Sequence, residues 1–220
     1  VSNLGKKEEE AIREKLSKMI LCAGIGNEDS ACSLAAINLA LSGRLTDDIP
    51  DCMSEAIGSW IIRVQDEMPA DMRNSVQWKA LLPYAAGTGR QYEKERVALM
   101  LDWMWCKVVP TLNPYADRNN FLAEWDAVRS LKSVDAVNRA LYASKKKEDH
   151  VFHDICIAML NAILAANNPS LTGYEVASVA AFTCLLGVTW ETFEPCKLLE
   201  NLINVDPSFY ADGEAASPAT

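Results

Sequence analysis

The chain has 220 residues, 50% of them hydrophobic and 23% charged, the make-up of an ordinary globular protein with apolar material for one sizeable core or two small ones. A net charge of −9 and a pI near 4.8 leave no basic footprint for a nucleic-acid backbone. Lysines and arginines are spread too evenly for the dense acidic face of a DNA mimic. The longest apolar run, Ile155 to Ala166, is interrupted by Asn161 and is too short to span a bilayer, so no membrane association is expected.

Taken in order, the chain opens with "VSNLGKKEEEAIREKLSKMILCAG", charged and heptad-like, without the apolar stretch of a signal peptide. Ile12, Leu16, Met19 and Ile20 predict a helix over 6–22. "GIGNEDS" ends it, and Asp29 or Ser30 can cap a second helix that runs to Leu41 before Gly43. Ser54 caps a third, reaching Met68, whose Ile57, Trp60, Ile61 and Val64 share a face; Pro69 stops it. Ser75 caps "VQWKALLPYAA", where Pro83 predicts a kink or an early end. A long helix over 90–109 follows, then "PTLNPYADRN" as the clearest loop. The second half reads as helices over 119–131, 133–146, 149–166, 172–186 and 190–204, with Ser133 and Thr172 as caps. Residues 207–220 have the composition of a disordered tail.

Segments 97–106, 155–166 and 176–186 are apolar nearly all round, which places them at the centre of a bundle. The fold expectation is therefore an all-α bundle of about nine or ten helices. Residues 1–112 and 113–206 form its two halves, packed as one domain. Among the six tryptophans, Trp78 and Trp125 are expected to be half exposed and the rest core. The seven cysteines are odd in number, widely spaced and without C-x-x-C, and Cys106, Cys156 and Cys184 lie in apolar helical patterns. Reduced core thiols in a cytoplasmic protein fit that usage.

Four stretches could carry chemistry. "AAGTGR", residues 85–90, could offer backbone N–H groups and Arg90 to a phosphate at the start of a helix. Alternatively, Gly87 caps one helix and Gly89 belongs to a tight link to the next. "DDIPD", Asp47 to Asp51, resembles the aspartate-rich motif of the isoprenyl diphosphate synthases, which would hold Mg²⁺. No second aspartate motif and no paired arginines accompany it, and the stretch reads as a loop in which Asp47 or Asp48 caps a turn. "HVFHDIC" places His150, His153 and Cys156 at i, i+3 and i+6, and its "HD" pair resembles the all-α histidine–aspartate phosphohydrolases. The upstream histidine of that signature is missing, so the histidines read as a helix's exposed first turn, and neither a metal nor a cofactor is expected. Asp102 is the only ionisable residue in "VALMLDWMWC"; such a carboxylate is paired, tied to a neighbouring helix or turned to a pocket walled by Trp103 and Trp105.

Residues 32–105 resemble a group of uncharacterised bacteriophage and bacterial proteins, through "LTDDIPDCM", "QDEMPADMRNS", "LLPYAAGTGR" and "LDWMW". The resemblance covers roughly a third of the chain and implies a microbial or phage setting, with the host cytoplasm as location if phage-encoded, and no activity. Three functions follow as expectations. The first is an all-α binding protein acting on a protein partner, with homo-oligomerisation as one form of it. The second is a small-molecule or nucleotide-binding protein or hydrolase, whose ligand residues would be Asp51, Arg63, Asp66, Arg73, Gly87, Gly89, Arg90, Asp102 and Trp103. The third is a virion structural component. No catalytic residue is named, because no nucleophile elbow, S-x-x-K or metalloprotease motif occurs.

Overall fold

The computed structural model describes residues 4–205, so the tail expected at 207–220 lies outside the described residues. Among the described residues, ten helices of nine residues or more and three shorter ones make an all-α bundle. Helix α1 (Lys6–Lys18) buries Ile12 and Leu16. It ends short of the predicted Cys22, because Ile20–Leu21 (β1) pairs in parallel with Ser30–Ala31 (β2). The side chain of Asn74 holds that register, accepting from the Leu21 N–H at 2.8 Å and donating to its carbonyl at 2.8 Å. Helix α2 (Ser33–Ser42) is capped by Cys32, whose Sγ accepts from the Ala35 N–H, rather than by Asp29 or Ser30. Those two residues give their amides to the Asn27 side chain.

Helix α3 (Glu55–Glu67) starts at Ser54 as predicted, α4 (Ala70–Arg73) follows Pro69, and α5 (Val76–Ala86) starts at Ser75 and runs through Pro83. Helix α6 (Glu93–Trp103) passes into a π-helical turn, Met104–Val108, and a 3₁₀ turn, Val109–Leu112, before α7 (Asn113–Arg118). The loop predicted at 110–119 is thus largely helical. Pro110 and Pro114 sit in the first turns of their elements, where a missing N–H breaks no helical bond. Helices α8 (Leu122–Leu131), α9 (Val134–Lys146) and α10 (His150–Leu164) follow. Then comes α11 (Pro169–Cys184), capped by Asn168, while the Thr172 hydroxyl instead donates to the Ala165 carbonyl at 2.6 Å. The single helix predicted over 190–204 is two, α12 (Trp190–Phe193) and α13 (Pro195–Ile203), broken at Glu194 (φ 52°) just before a proline.

One apolar core extends from Ile12 to Leu202. Its centre is α11, packed on α3, α10 and α6. The segment 97–106 is less central than predicted: α6 buries Val97, Met100 and Trp103 but turns Ala98 and Asp102 outward, and Cys106 is exposed beyond it. Helix α3 takes the place at the centre, with Ala56, Ile57, Trp60, Ile61 and Val64 fully buried. Trp78 and Trp125 are also fully buried, not half exposed, because each indole N–H finds an internal acceptor, Ser33 Oγ and Asn113 Oδ1, both at 3.2 Å. With that polar group satisfied, burying each ring contributes about 4–6 kcal/mol of gross transfer free energy. Among the described residues no helix is long and apolar enough to cross a membrane.

Candidate functional site

The glycine loop after α5 holds a charge of the opposite sign to a phosphate. Its amides are spent inside the chain: Gly87 N–H on Tyr84 O, Thr88 N–H on Ala85 O, and Gly89 N–H on Cys52 O at 2.7 Å. Its carbonyls turn inward to the guanidinium of Arg96, which is 2% exposed. Nη1 donates to Gly89 O (3.0 Å) and Gln91 O (2.7 Å), Nη2 to Thr88 O (3.3 Å), and Nε to Leu202 O (3.1 Å) in the last turn of α13. Four carbonyl dipoles, one of them at a helix C-terminus, replace the water that this cation loses. Burial still pulls the Arg96 pKa below its ordinary value, against the opposing charges of Glu93 and Glu95.

The anion site at the nearby helix start is filled from within as well. Glu93 accepts from Ser54 Oγ (2.8 Å), the Glu55 N–H (2.7 Å) and the Ala56 N–H (3.3 Å), so its carboxylate caps α3. Arg90 pairs at the surface with Glu55 and, at 3.5 Å, with the fully exposed Asp51. Gly87, Gly89 and Arg90 therefore build a junction between α3, α5, α6 and α13.

The remaining charged residues of the first half do not converge. Asp66 accepts from the Gly24 N–H (2.9 Å) and pins the turn before β2. Arg73 gives one N–H to Met68 O (2.8 Å), while its Nε and Nη1 have no hydrogen-bond partner among the described residues. Asp48 closes its own turn with Thr46 Oγ1 (2.7 Å). On α10, His150 is exposed, His153 lies 3.4 Å from Ser144 Oγ, and burial pushes the Cys156 thiol up to about 12. Among the described residues no three His, Cys, Asp or Glu side chains are placed to hold a metal ion.

Asp102 and Trp103 do share a pocket. It measures about 200 Å³ and lies between the π-helical turn and α13. Asp102 is exposed on its rim and accepts from Cys106 Sγ at 3.3 Å; burial first, and then Asp102, push that thiol up. Lys107 pairs with Glu194, and Lys197 with Glu200 at 3.1 Å, which leaves Asp102 as the rim carboxylate met by a thiol rather than by a cation.

A second cleft, of about 250 Å³, lies on the outer side of α10 and α11. From α3, Arg63 reaches into it with Nε on Ser178 Oγ (3.1 Å) and Nη1 on Glu67 (2.5 Å). Its guanidinium lies 5.8 Å from the Tyr174 ring centre and 5.6 Å from that of Phe182. Asn161 donates to Glu175 at 3.1 Å, and burial raises the Glu175 pKa against that bond and the charge of Arg63. Asp154 stands exposed at the cleft's other end. Around the cleft, Ile157 is 38% exposed, Leu164 70%, Leu171 42%, Tyr174 42% and Leu185 67%. Helical spacing puts 157, 161 and 164 on one face of α10, and 171, 174, 178, 182 and 185 along one face of α11.

Of this cleft the sequence points to Arg63 and, through the "HD" pair, to Asp154. The signal for the rest was already present: helices apolar all round leave apolar side chains on their outer side too. A scan against models of protein families finds no match to this chain, and neither the curated proteins nor the solved structures yield one.

Proposed function

We propose that this chain is an all-α binding protein that acts by contacting a protein partner, and that the outer face of α10 and α11 receives it. One observation carries the reading: α10 and α11, both rich in apolar residues, expose Ile157, Leu164, Leu171, Tyr174 and Leu185 along a single face. Single exposed apolar residues are ordinary, whereas a contiguous row marks an interaction surface. Tyrosine and large aliphatic residues beside an arginine stacked on rings resemble the composition of interface centres. A bacterial or phage setting and a reducing cytoplasm, where the seven free thiols stay reduced, belong to the same proposal.

The test is quantitative capture from source-cell extract on immobilised wild-type chain and on a Leu164→Asp/Leu185→Asp variant. Both side chains are mostly exposed, so each substitution is expected to change stability by no more than about 0.5 kcal/mol. A partner enriched on the wild type and lost from the variant is the expected result. Equal recovery on both would remove the face assignment. Light scattering over a range of concentrations reads whether that partner is a second copy of the chain.

A further inference from the structure

Resting on that reading, we infer that the partner seats a lysine or arginine side chain between Asp154 and Glu175, on a segment that also lays apolar residues on Ile157, Leu164 and Tyr174. The charges in the cleft decide this. Arg63 is neutralised by Glu67 at 2.5 Å and covered by two rings. Asp154 and Glu175 have no ion pair among the described residues, and Glu175 has one hydrogen bond, from a neutral amide. The cleft therefore presents a net negative charge within an apolar rim. An acidic partner would meet two carboxylates without an ion pair and an arginine already engaged, and like charges across an interface are penalised. A basic one finds acceptors for its head and apolar surface for its stem, the arrangement long cationic side chains adopt.

Size points the same way. About 250 Å³ lies below the range of roughly 300–1,000 Å³ usual for small-molecule sites, and it suits one long side chain. The chain's net charge of −9 adds long-range attraction for such a segment.

Fluorescence anisotropy with the full chain, at an ionic strength of about 0.15 M so that distant charges are screened, compares two labelled amphipathic helical peptides. One is built of leucine and lysine; in the other, glutamate replaces every lysine. The Leu/Lys peptide is expected to bind and the Leu/Glu peptide not to. Glu175→Gln and Asp154→Asn together should weaken binding by about tenfold or more, equivalent to about 1.4 kcal/mol. Glu10→Gln with Glu28→Gln, exposed on α1 and in the turn before β2, removes the same charge elsewhere and should change the affinity less than about twofold.

Equal losses from the two pairs would show mere attraction to an acidic protein and overturn the inference. Binding of only the Leu/Glu peptide, abolished by Leu164→Asp, would overturn it while leaving the docking face standing. Binding of neither peptide would overturn it too, and the capture experiment would then decide the face alone.

A thermal melt provides the second readout. The groups acting on Glu175 are Arg63, paired with Glu67, from α3 and Asn161 from α10, with Asp154 of α10 at the cleft's other end. A carboxyl whose folded pKa is raised costs stability when ionised, and that cost disappears as pH falls through the raised pKa to the ordinary carboxylate range near about 4. Glu175→Gln should therefore raise the Tm at pH 7 and lose its advantage near pH 4. No gain at pH 7 would mean that the carboxylate is already compensated, against the inference.

Discussion

Arg96 takes a full positive charge into the core with no carboxylate bonded to it: its hydrogen bonds all go to peptide carbonyls, and Glu93 and Glu95 act on it only through their charge. Replacing it by methionine keeps the bulk but leaves four inward carbonyls without their donor. An unsatisfied buried acceptor costs about 1–3 kcal/mol, and the four share one site, so their costs do not simply add. Arg96→Met should then lower stability in urea by more than about 3 kcal/mol with an unchanged m-value. Arg96→Lys should fall between, since an ammonium has three donors at one point and cannot span four acceptors on two segments. A neutral Arg96→Met would show that the carbonyls find other partners. Sequence gave little access to this residue. An arginine within "EKER" at the start of a helix looks like a solvated turn, and only the return of α13, more than a hundred residues later, buries it. Asp102, by contrast, drew notice by standing alone among apolar neighbours, and it does reach a pocket rim, though on the outer side of its helix.

At the level of elements, α3 and α11 pack closely at Gly173. A Cβ on Gly173 would stand 2.3 Å from the Ala56 carbonyl oxygen, a backbone atom that cannot swing aside. Alanine is favoured over glycine within a helix by about 1 kcal/mol, but here the contact must open, at about 1–3 kcal/mol or more for overpacking plus the lost fit along both helices. Gly173→Ala should therefore destabilise by about 2 kcal/mol, a Tm drop of about 4–8 °C in a chain of this size. A rise in Tm would mean that α11 moves off α3 at no cost. Such a glycine is invisible to periodicity, which explains what the sequence yielded and what it did not. Ser54, Ser75 and Ser133 each cap a helix from the predicted position, because capping is local chemistry. The strand pair at Ile20–Leu21 was hidden because its clamp, Asn74, comes 53 residues later. Helix α3 looked merely amphipathic because it carries Gln65, whose burial becomes tolerable only when its side chain meets the Ser33 N–H at 2.6 Å.

For the whole molecule, the division expected near residue 112 marks two stretches of chain that share one core. The principal partner of α3 is α11, from the second stretch, and α13 returns to pack on α5 and α6 and to supply the Leu202 carbonyl to Arg96. Cutting there would strip α3 of cover from Ala56 to Val64 and leave Trp60 and Trp103 facing water, far more apolar surface than a small domain can expose and still fold. The full chain should accordingly unfold in one transition, with tryptophan near-UV and backbone far-UV circular dichroism superimposing. A fragment of residues 1–112 should keep helical far-UV signal, because its capped helices are locally encoded, yet show little near-UV signal, a broad melt and dye binding to exposed apolar surface. Adding residues 113–205 in trans should sharpen the melt, since the missing face of α3 is then available. If the fragment alone melts cooperatively with native-like near-UV signal, the first stretch holds a core of its own, and α11 is a cover laid on a finished domain, with the α10–α11 face then free to move relative to Arg63 and the cleft it completes.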